Sequence, residues 1–455
     1  MEARQLWENA FEKRRESILK DWETFLRFPS IGTDPAHKSD CEACADWLCT
    51  RLKQSGFETQ NVETAGNPFV YAKREGNPDK PTLLIYGHYD VQPVDPLEDW
   101  TAPPFEPQWS KDRLYARGAQ DNKGQIFYTI CAIESLIAAG KLDHTLILLI
   151  EGEEEFGSAS LEQVLDTWRE EIQADALLVH DTGTVASGDP TLIMGLRGML
   201  QFECVLQGAT HDLHSGLHGG IAPNAAQAAA TICASLYDAT GRVTVPGFYD
   251  GVQPPTEQER ELATKGDITA ESYREQIGTT PDGGIRDLPP YERIGFLPTL
   301  EINGIHAGYG GPGSKTIIPA QATIKLTSRI VQGQDPQALI DTVCEHIRKQ
   351  TPPGIQLEIT QAHIGGAGMR FAPDSRFLPT AERALAAVKP GSPIIHRWEG
   401  ASIPIVARLA EVSGATPLLT GFGHEEDRIH APNESFSLDQ FRNGFLYTCL
   451  LLSQL

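Results

Sequence analysis

Three short apolar runs, each flanked by residues that interrupt regular structure, limit most strongly what this chain can fold into. They cover residues 83–86, 145–150 and 176–179, and uninterrupted apolar runs of this length are typical of strands buried in a parallel sheet. Helical patterns at 39–55 and 122–139 are each followed by a glycine, which suits a left-handed C-cap. The alternation of strands and helices predicts an α/β fold with a mostly parallel sheet.

The pattern changes after about residue 192. Between 194 and 365, an extended run, a helix, two more extended runs, a second helix and a last strand follow one another. This β-α-β-β-α-β order predicts a separate ferredoxin-like α+β domain, inserted between two parts of the α/β domain at 1–193 and 366–455. The stretch 241–297 is rich in glycine and proline and is predicted to be a mobile loop.

Composition excludes several classes of partner. With 61 acidic and 38 basic side chains the formal net charge is −23, which repels phosphate backbones, so no nucleic acid partner is expected. The apolar run at 146–150 is far shorter than the ~20 residues of a membrane span, so no membrane association is expected. The N-terminal residues mix Glu, Lys and Arg and resemble no signal peptide, which predicts a cytoplasmic protein. Its eight cysteines lie mostly in apolar contexts and are predicted to be free thiols.

Polar side chains follow each of the three buried strands, at the edge of a parallel sheet where ligands usually bind. After the first strand, His88 and Asp90 are two residues apart, so a carboxylate can orient the imidazole. Asp181 follows the third strand. The second strand is followed by four glutamates: Glu151, Glu153, Glu154 and Glu155. Crowded carboxylates raise one another's pKa unless a cation neutralises them, so they indicate a divalent metal site; the alternative is a solvated acidic turn.

Other candidate ligands also have a structural alternative. Asp121 precedes the helix at 122–139, where a carboxylate can serve simply as an N-cap. His424 and His430 follow another predicted strand near the C-terminus, and either imidazole could be solvated. Together, two histidines and three carboxylates suit zinc, manganese or cobalt, and they exceed the ligands of one tetrahedral ion. Two ions that share one carboxylate would use them all.

Seven motifs resemble a known family in their order and spacing: HYD, ARGAQDNKG, EGEEEFGS, HDTG, HDLHSGLHGG, EGASIP and HAPNE. They are similar to those of the di-metal exopeptidases, the family of carnosinases, glutamate carboxypeptidases, aminoacylases and bacterial cytosolic dipeptidases. The resemblance covers nearly the whole chain and favours the dipeptidase and carnosinase branch. It implies a three-layer zinc-exopeptidase catalytic domain interrupted by a ferredoxin-like lid and dimerisation domain. It also implies a homodimer through the lid and two divalent metal ions per subunit, zinc or alternatively manganese or cobalt.

By this resemblance, individual residues acquire roles in a metal centre. One metal would be bound by His88 and Asp181, the other by Glu155 and His430, and Asp121 would bridge the two. The remaining two assignments are Asp90, which would support His88, and Glu154, which would be the general base for a metal-bridging water.

The resemblance also implies residues that contact the substrate. His214 would reach across the dimer to stabilise the oxyanion, with a surface loop histidine as the alternative. Arg329, otherwise an outward strand residue, would bind the substrate's C-terminal carboxylate. Three positions match substrate contacts more loosely: Thr316, His363 and Ser402.

Some positions depart from the pattern of other family members or carry a further expectation. The sequence differs at Asn122, Phe156 and Ala401, which leaves the substrate preference open. The Asp121–Asn122 peptide bond is expected to be cis, as in family members.

The predicted activity is hydrolysis of amide bonds in dipeptides or short peptides with a free C-terminal carboxylate. One alternative within the family is an N-acyl-amino-acid deacylase or carbamoylase, whose substrate is an acyl-amino acid. Another, from a different class, is a catalytically inactive binding protein with the same fold. The intact position Glu154 argues against the last, because a binding protein has no use for a base beside the metals.

Overall fold

The computed structural model describes residues 2–266 and 268–455. Two compact units make up this part of the chain. Unit 1 contains the residues up to Met194 together with Phe371–Arg397 and Ile405–Leu455. Unit 2 contains Gly195–Arg370, apart from Asp267, and the returning segment Trp398–Pro404.

In chain order, the strands of the described residues are β1 (Glu58–Val62), β2 (Phe69–Arg74), β3 (Thr82–His88), β4 (Gln108–Ser110), β5 (Arg113–Tyr115), β6 (Thr145–Glu151), β7 (Ala176–Val179), β8 (Thr191–Leu196), β9 (Gly198–Gln207), β10 (Leu213–His214), β11 (Thr299–Ala307), β12 (Ile317–Ile318), β13 (Gln321–Ile330), β14 (Gln356–Ile364), β15 (Met369–Arg370), β16 (Ile395–Trp398), β17 (Thr416–Thr420) and β18 (Ser435–Ser437).

The α-helices of the same residues are α1 (Glu2–Leu26), α2 (Lys38–Gln54), α3 (Lys123–Ala138), α4 (Ala159–Leu165), α5 (Ser215–His218), α6 (Ala225–Ala234), α7 (Glu257–Ala263), α8 (Ala270–Ile277), α9 (Pro290–Phe296), α10 (Pro336–Gln350), α11 (Leu378–Val388), α12 (Pro404–Ser413) and α13 (Leu438–Leu452).

Unit 1 is built on a large sheet with the strand order β1-β2-β6-β3-β7-β17-β8. Its centre is parallel, from β6 through β3 and β7 to β17, and its outer pairs are antiparallel. Every residue of β6 and β7 is buried, as expected for central strands of a parallel sheet. The predicted α/β class with a mostly parallel sheet is confirmed. Parallel pairing also carries the carboxyl ends of β3, β6 and β7 to one edge, where His88 is opposite Glu151.

Unit 2 contains a four-stranded antiparallel sheet with the order β11-β13-β9-β14. In chain order its elements read β9, α6, β11, β13, α10, β14, which is the ferredoxin-like sequence of elements. Alternate residues of β9 are buried, because one face of the sheet packs against α6 and α10 in a continuous apolar core. The other face leaves the side chain of Arg329 only partly covered.

The prediction of a loop at 241–297 was wrong in that this stretch contains regular structure. Its described residues include three short helices, α7, α8 and α9. Two of them begin with a capping box, Thr256 with Glu259 and Thr269 with Ser272. Capping satisfies the first backbone N–H groups of a helix, so short helices form despite the surrounding glycines and prolines.

Two further findings concern the cysteines and the character of the helices. All eight cysteines are free, and seven of them are buried. Within residues 2–266 and 268–455, we find no helix whose length and apolar character would let it cross a bilayer.

Candidate metal centre

Two strand ends bring His88 and Asp181 together in unit 1. His88 ends β3, and Asp181 lies just beyond β7, whose Val179 pairs with Tyr86. The fully buried imidazole of His88 places Nε2 3.7 Å from Asp181 Oδ2. Its Nδ1 lies 3.1 Å from the Asp90 carbonyl oxygen and 3.2 Å from Asp90 Oδ1. Because Nδ1 faces two acceptors it carries the proton, and the lone pair of Nε2 points at the carboxylates.

Asp121 stands between the two imidazoles. Its Oδ1 lies 3.3 Å from His88 Nε2, and its Oδ2 lies 3.0 Å from His430 Nε2. The N-cap position of α3 is occupied by Asn122, so the capping alternative for Asp121 is wrong. The peptide bond between these two residues is cis, as predicted.

Glu154 and Glu155 lie on a short 3₁₀ turn that follows β6. The two oxygens of the buried Asp90 carboxylate accept hydrogen bonds from their backbone N–H groups, at 3.2 and 3.1 Å. Asp90 therefore connects the end of β3 to this turn as well as orienting His88. Glu155 Oε2 lies 3.2 Å from His430 Nε2, whereas Glu154 Oε2 lies 3.9 Å from His88 Nε2. The adjacent carboxylates thus face different imidazoles.

His430 reaches this cluster from a loop with unusual backbone geometry. Its φ is 59°, and Arg428 and Asn433 in the same loop also have positive φ. A left-handed conformation costs a non-glycine residue of order 1–3 kcal/mol, so surrounding contacts must hold it. Asp427 supplies some of them, because its buried carboxylate accepts hydrogen bonds from Arg113 and Gln440.

Two of the four glutamates that end β6 or follow it have a structural role. Glu151 accepts hydrogen bonds from the hydroxyls of Tyr86, at 2.6 Å, and Ser158, at 2.9 Å. Glu153 accepts from the backbone N–H of Asn67, at 2.8 Å, and from Ser160. Burial raises the pKa of Glu151 to about 8. Glu154 and Glu155 therefore remain as the pair directed at the imidazoles.

The electrostatics of the cluster are those of a site with excess negative charge. Burial, reinforced by the charge of Asp121, raises the pKa of Glu155 to about 7. Burial likewise raises the pKa of Glu154 well above its usual range, and Asp181, Glu155 and Asp121 add to the effect. Hydrogen bonds to Asp121 and Glu155 raise the pKa of His430 to about 10. Ionised carboxylates at this density require a compensating cation.

Two sets of donor atoms fit such a cation. His88, Asp121 and Asp181 form one set, and Asp121, Glu155 and His430 form the other, with the atoms of each set within 4.8 Å of one another. The donors are oxygen and imidazole nitrogen only, which suits zinc, manganese or cobalt. The buried Nε2 of His88 makes no hydrogen bond, although carboxylate oxygens surround it. A metal ion at this position would bind both the imidazole nitrogen and the carboxylates, so the residues fit a metal pair that shares Asp121.

Two further residues position this cluster, and the sequence patterns did not single them out for that role. The buried Glu434 accepts hydrogen bonds from three backbone N–H groups of the loop before α3, including that of Asp121 at 3.1 Å. It also pairs with the buried Arg117 at 2.9 Å. The Asn122 amide donates to Asp181 Oδ1 at 2.6 Å. Glu434 ends the HAPNE motif that begins with His430. Its presence in the same motif as a candidate ligand was the sequence signal that could have indicated a role at this site.

Unit 2 holds the residues predicted to contact the substrate. The hydroxyl of Ser402 accepts a hydrogen bond from Arg329 Nη1 at 2.9 Å. His214 is exposed and pairs with Ile317 across the β10–β12 ladder, and the carbonyl of the neighbouring Thr316 accepts from Ser215 N at 3.0 Å. His363 is exposed on β14, opposite Gln201.

These residues form two local groups and one separate position. Arg329 lies with Ser402, and His214 lies beside Thr316, whereas His363 stands apart on its strand. Gly216 N donates to His214 Nδ1 at 3.0 Å, so Nε2 is the nitrogen that carries the proton.

Comparisons with known proteins agree with this geometry. A sequence profile of Peptidase family M20/M25/M40 matches residues 84–454. This chain belongs to that family. It is therefore a hydrolase, and the predicted family is confirmed.

Several named M20 proteins are similar to the chain over most of its length. The Cys-Gly metallodipeptidase of Candida albicans is 28% identical over 458 residues, which cover 96% of this chain and 94% of that protein. The human Beta-Ala-His dipeptidase is 29% identical over 392 residues, covering 83% of this chain and 75% of that one. The crystal structure of an M20 family metallo-carboxypeptidase from Sulfolobus solfataricus superposes with a TM-score of 0.83 at 32% identity, covering 96% and 98% of the two chains.

The three positions at which we expected the chain to differ from other family members differ in burial. Asn122 is fully buried and bonded to Asp181, so its change affects the ligand cluster itself. Phe156 is 44% exposed, and Ala401 is also exposed.

Proposed function

We propose that this M20 protein is a metal-dependent dipeptidase that hydrolyses the amide bond of dipeptides and short peptides with a free C-terminal carboxylate. The observation that carries the proposal is the position of Asp121, whose two oxygens each face one imidazole. Glu154 supports it further, because its carboxylate lies beside the donor cluster and is directed at His88.

In the proposed reaction, the residues of unit 1 divide into ligands and a base. His88, Asp181 and Asp121 would hold one cation, and Asp121, Glu155 and His430 the other. When bound, the two cations polarise the amide carbonyl and lower the pKa of a water molecule to about 7. Two zinc ions are the pair we expect, with manganese and cobalt as alternatives.

Proton transfer falls to Glu154. Its carboxylate would accept a proton from the attacking water and donate it to the nitrogen of the leaving amine. Burial raises its pKa, as described above, and bound cations would lower that pKa. Asp90 acts indirectly, since it orients both His88 and the turn that carries Glu154.

Unit 2 would supply substrate recognition. The planar guanidinium of Arg329, oriented by Ser402, suits the C-terminal carboxylate of a peptide. Thr316 and His363 would contact the substrate less directly. His214 would donate from Nε2 to the developing oxyanion in the partner subunit's site, which makes a homodimer through unit 2 part of the proposal.

A substrate panel tests this function. The protein is stripped of metal with a chelator, reloaded with zinc, manganese or cobalt, and given dipeptides, their C-terminal amides and N-acyl-amino acids. We expect hydrolysis of the free dipeptides and little hydrolysis of the amides, because only the former carry the carboxylate. Faster hydrolysis of N-acyl-amino acids would indicate a deacylase instead. Two bound metals without any hydrolysis would indicate the inactive binding protein.

A further inference from the structure

A cavity of about 660 Å³ opens in unit 2 next to Arg329. It adjoins the edge strand β11, where Glu301 and Thr327, which pair in the sheet register, line it together with Val243 and Leu300 of the apolar core. The segment from α8 to α9 forms the opposite wall. Its volume falls within the ~300–1,000 Å³ of small-molecule sites in proteins.

The walls of the cavity are largely apolar and aromatic. They include the following side chains: Tyr237, Tyr249, Tyr273, Ile285, Ile294 and Leu297. Ligand sites typically combine such walls with a few polar groups that fix the orientation of the ligand. Here the charged groups are three arginines, Arg197, Arg293 and Arg329, and two acidic residues, Asp282 and Glu301.

Two of the arginines, Arg197 and Arg329, lie near each other and make one end of the cavity positive. Arg197 is only 8% exposed, and it donates from Nε to the carbonyl of Gly400 at 3.2 Å. A side chain at position 400 would meet this guanidinium, since a Cβ would lie 2.5 Å from Arg197 Nη2. Burial, followed by the charge of Arg329, lowers the pKa of Arg197 to about 10. Two neighbouring cations in a partly buried cavity attract an anion and disfavour a third cation.

We propose that this cavity receives the side chain of the substrate's C-terminal residue, and that the enzyme prefers dipeptides in which this residue is large and apolar or aromatic. The inference rests on the proposed function, in which Arg329 binds the carboxylate of the same residue. With the carboxylate at the positive end, the side chain extends along the sheet towards Tyr273 and Ile294. A lysine or arginine at the C-terminus is disfavoured, because it would enter beside Arg197 and Arg293.

Kinetics on a matched series test the preference. The zinc-loaded enzyme is assayed on dipeptides with one N-terminal residue and C-terminal Gly, Leu, Phe or Lys. We expect kcat/KM to be higher for Leu and Phe than for Gly by about tenfold or more. The variant Ile294→Trp fills the cavity and should remove this advantage, because it should lower kcat/KM for the Leu and Phe substrates much more than for the Gly substrate.

Two control variants keep this result interpretable. Leu6→Trp places the same new side chain at a 41% exposed position on α1 and should leave the series unchanged. If Ile294→Trp melts well below the wild type, Tyr273→Ala replaces it and should lower the Phe advantage by removing an aromatic wall. Equal rates for Gly, Leu and Phe in the wild type, or an equal loss for all of them in both cavity variants, would overturn the inference.

A binding measurement separates this inference from the proposed function. N-acetylphenylalanine and N-acetylglycine are titrated calorimetrically into the zinc-loaded Glu154→Gln protein. We expect N-acetylphenylalanine to bind about tenfold more tightly, and we expect Ile294→Trp to abolish the difference. If the wild type cleaves no dipeptide but this difference is found, the dipeptidase activity is wrong and the cavity site stands. If dipeptides are cleaved and the two probes bind equally, the cavity inference alone is wrong.

Discussion

The proposed metal ligands of unit 1 and the proposed substrate contacts of unit 2 are held in different ways. His88 and Asp90 are fully buried, and Asp90 accepts hydrogen bonds from two backbone N–H groups; among the proposed ligands His430 is the exposed exception. In unit 2, His214 and His363 are exposed. A ligand cluster must keep its geometry before a metal arrives, whereas residues that contact a substrate can adjust as it binds. Removing one residue should therefore have different consequences in the two units.

The largest effect that would sharpen this comparison is expected at Glu154. The Glu154→Gln variant retains the shape of the side chain but cannot accept a proton, so kcat should fall by about 10²–10⁴-fold. Metal content, measured by elemental analysis, should stay at two ions per chain because Glu154 is not one of the proposed ligands. The exposed Glu162→Gln on α4 serves as the control. A kcat near that of the wild type would remove Glu154 from the mechanism.

The next largest effect should come from the exposed histidine of unit 2. Loss of one oxyanion donor typically costs about 10²–10³-fold in kcat, so His214→Ala should be nearly inactive. If His214 acts in the partner subunit's site, mixing this variant with Glu154→Ala chains should restore activity. After random exchange of equal amounts of the two variants, about half of the dimers are hybrids. Each hybrid has one intact site of its two, so about a quarter of wild-type activity should return. Absence of recovery after verified subunit exchange would place His214 in its own subunit's site or in none.

A smaller effect, mainly on KM, is expected at Arg329. Hydrogen bonds to charged groups contribute about 1.5–3 kcal/mol, so Arg329→Met should raise KM for dipeptides by about 10–100-fold. C-terminal amides should respond much less, since they lack the carboxylate. Lys325→Met, on the same strand and 52% exposed, is the matched control. An equal rise in KM for acids and amides would show that Arg329 acts only through the structure of unit 2.

The smallest change in activity, but a measurable change in metal affinity, is expected at Asn122. Its amide holds Asp181 from a buried position, and loss of such a supporting contact typically weakens metal binding by about 10–100-fold. Competition with a chelator should show this for Asn122→Ala and should not for Asn61→Ala, whose hydrogen bond to Asp46 is exposed. With saturating metal, Asn122→Ala should recover most of its turnover. An unchanged metal affinity would mean that Asp181 keeps its position without the hydrogen bond from Asn122.

Much of the metal centre could be predicted from local patterns. A parallel sheet carries the ends of neighbouring strands to one edge, so His88, Asp181 and the glutamates after β6 were expected together. The pattern could not separate Glu151 and Glu153 from Glu154 and Glu155, because all four are acidic and adjacent. Hydroxyl and backbone donors distant in the chain, such as Tyr86 and Asn67, make that separation.

Other features had weak or misleading local signals. The three helices between 241 and 297 are short, and glycine and proline around them favoured a loop interpretation. The helix α1 mixes charged residues along its length, yet six of its apolar side chains are buried in unit 1, where Phe11 packs edge-on against Phe445 of α13. Burial against a distant element outweighs local composition in such a helix.

The sequence alone was enough to predict the alternation of strands and helices and the chemical type of the donor atoms, because both depend on residues that are close together in the chain. Folding in three dimensions settled which carboxylate faces which imidazole, since Asp121 and His430 meet across more than 300 positions. It also brought Arg197 and Arg329 to one cavity through the register of strands whose pairing no short stretch of sequence specifies.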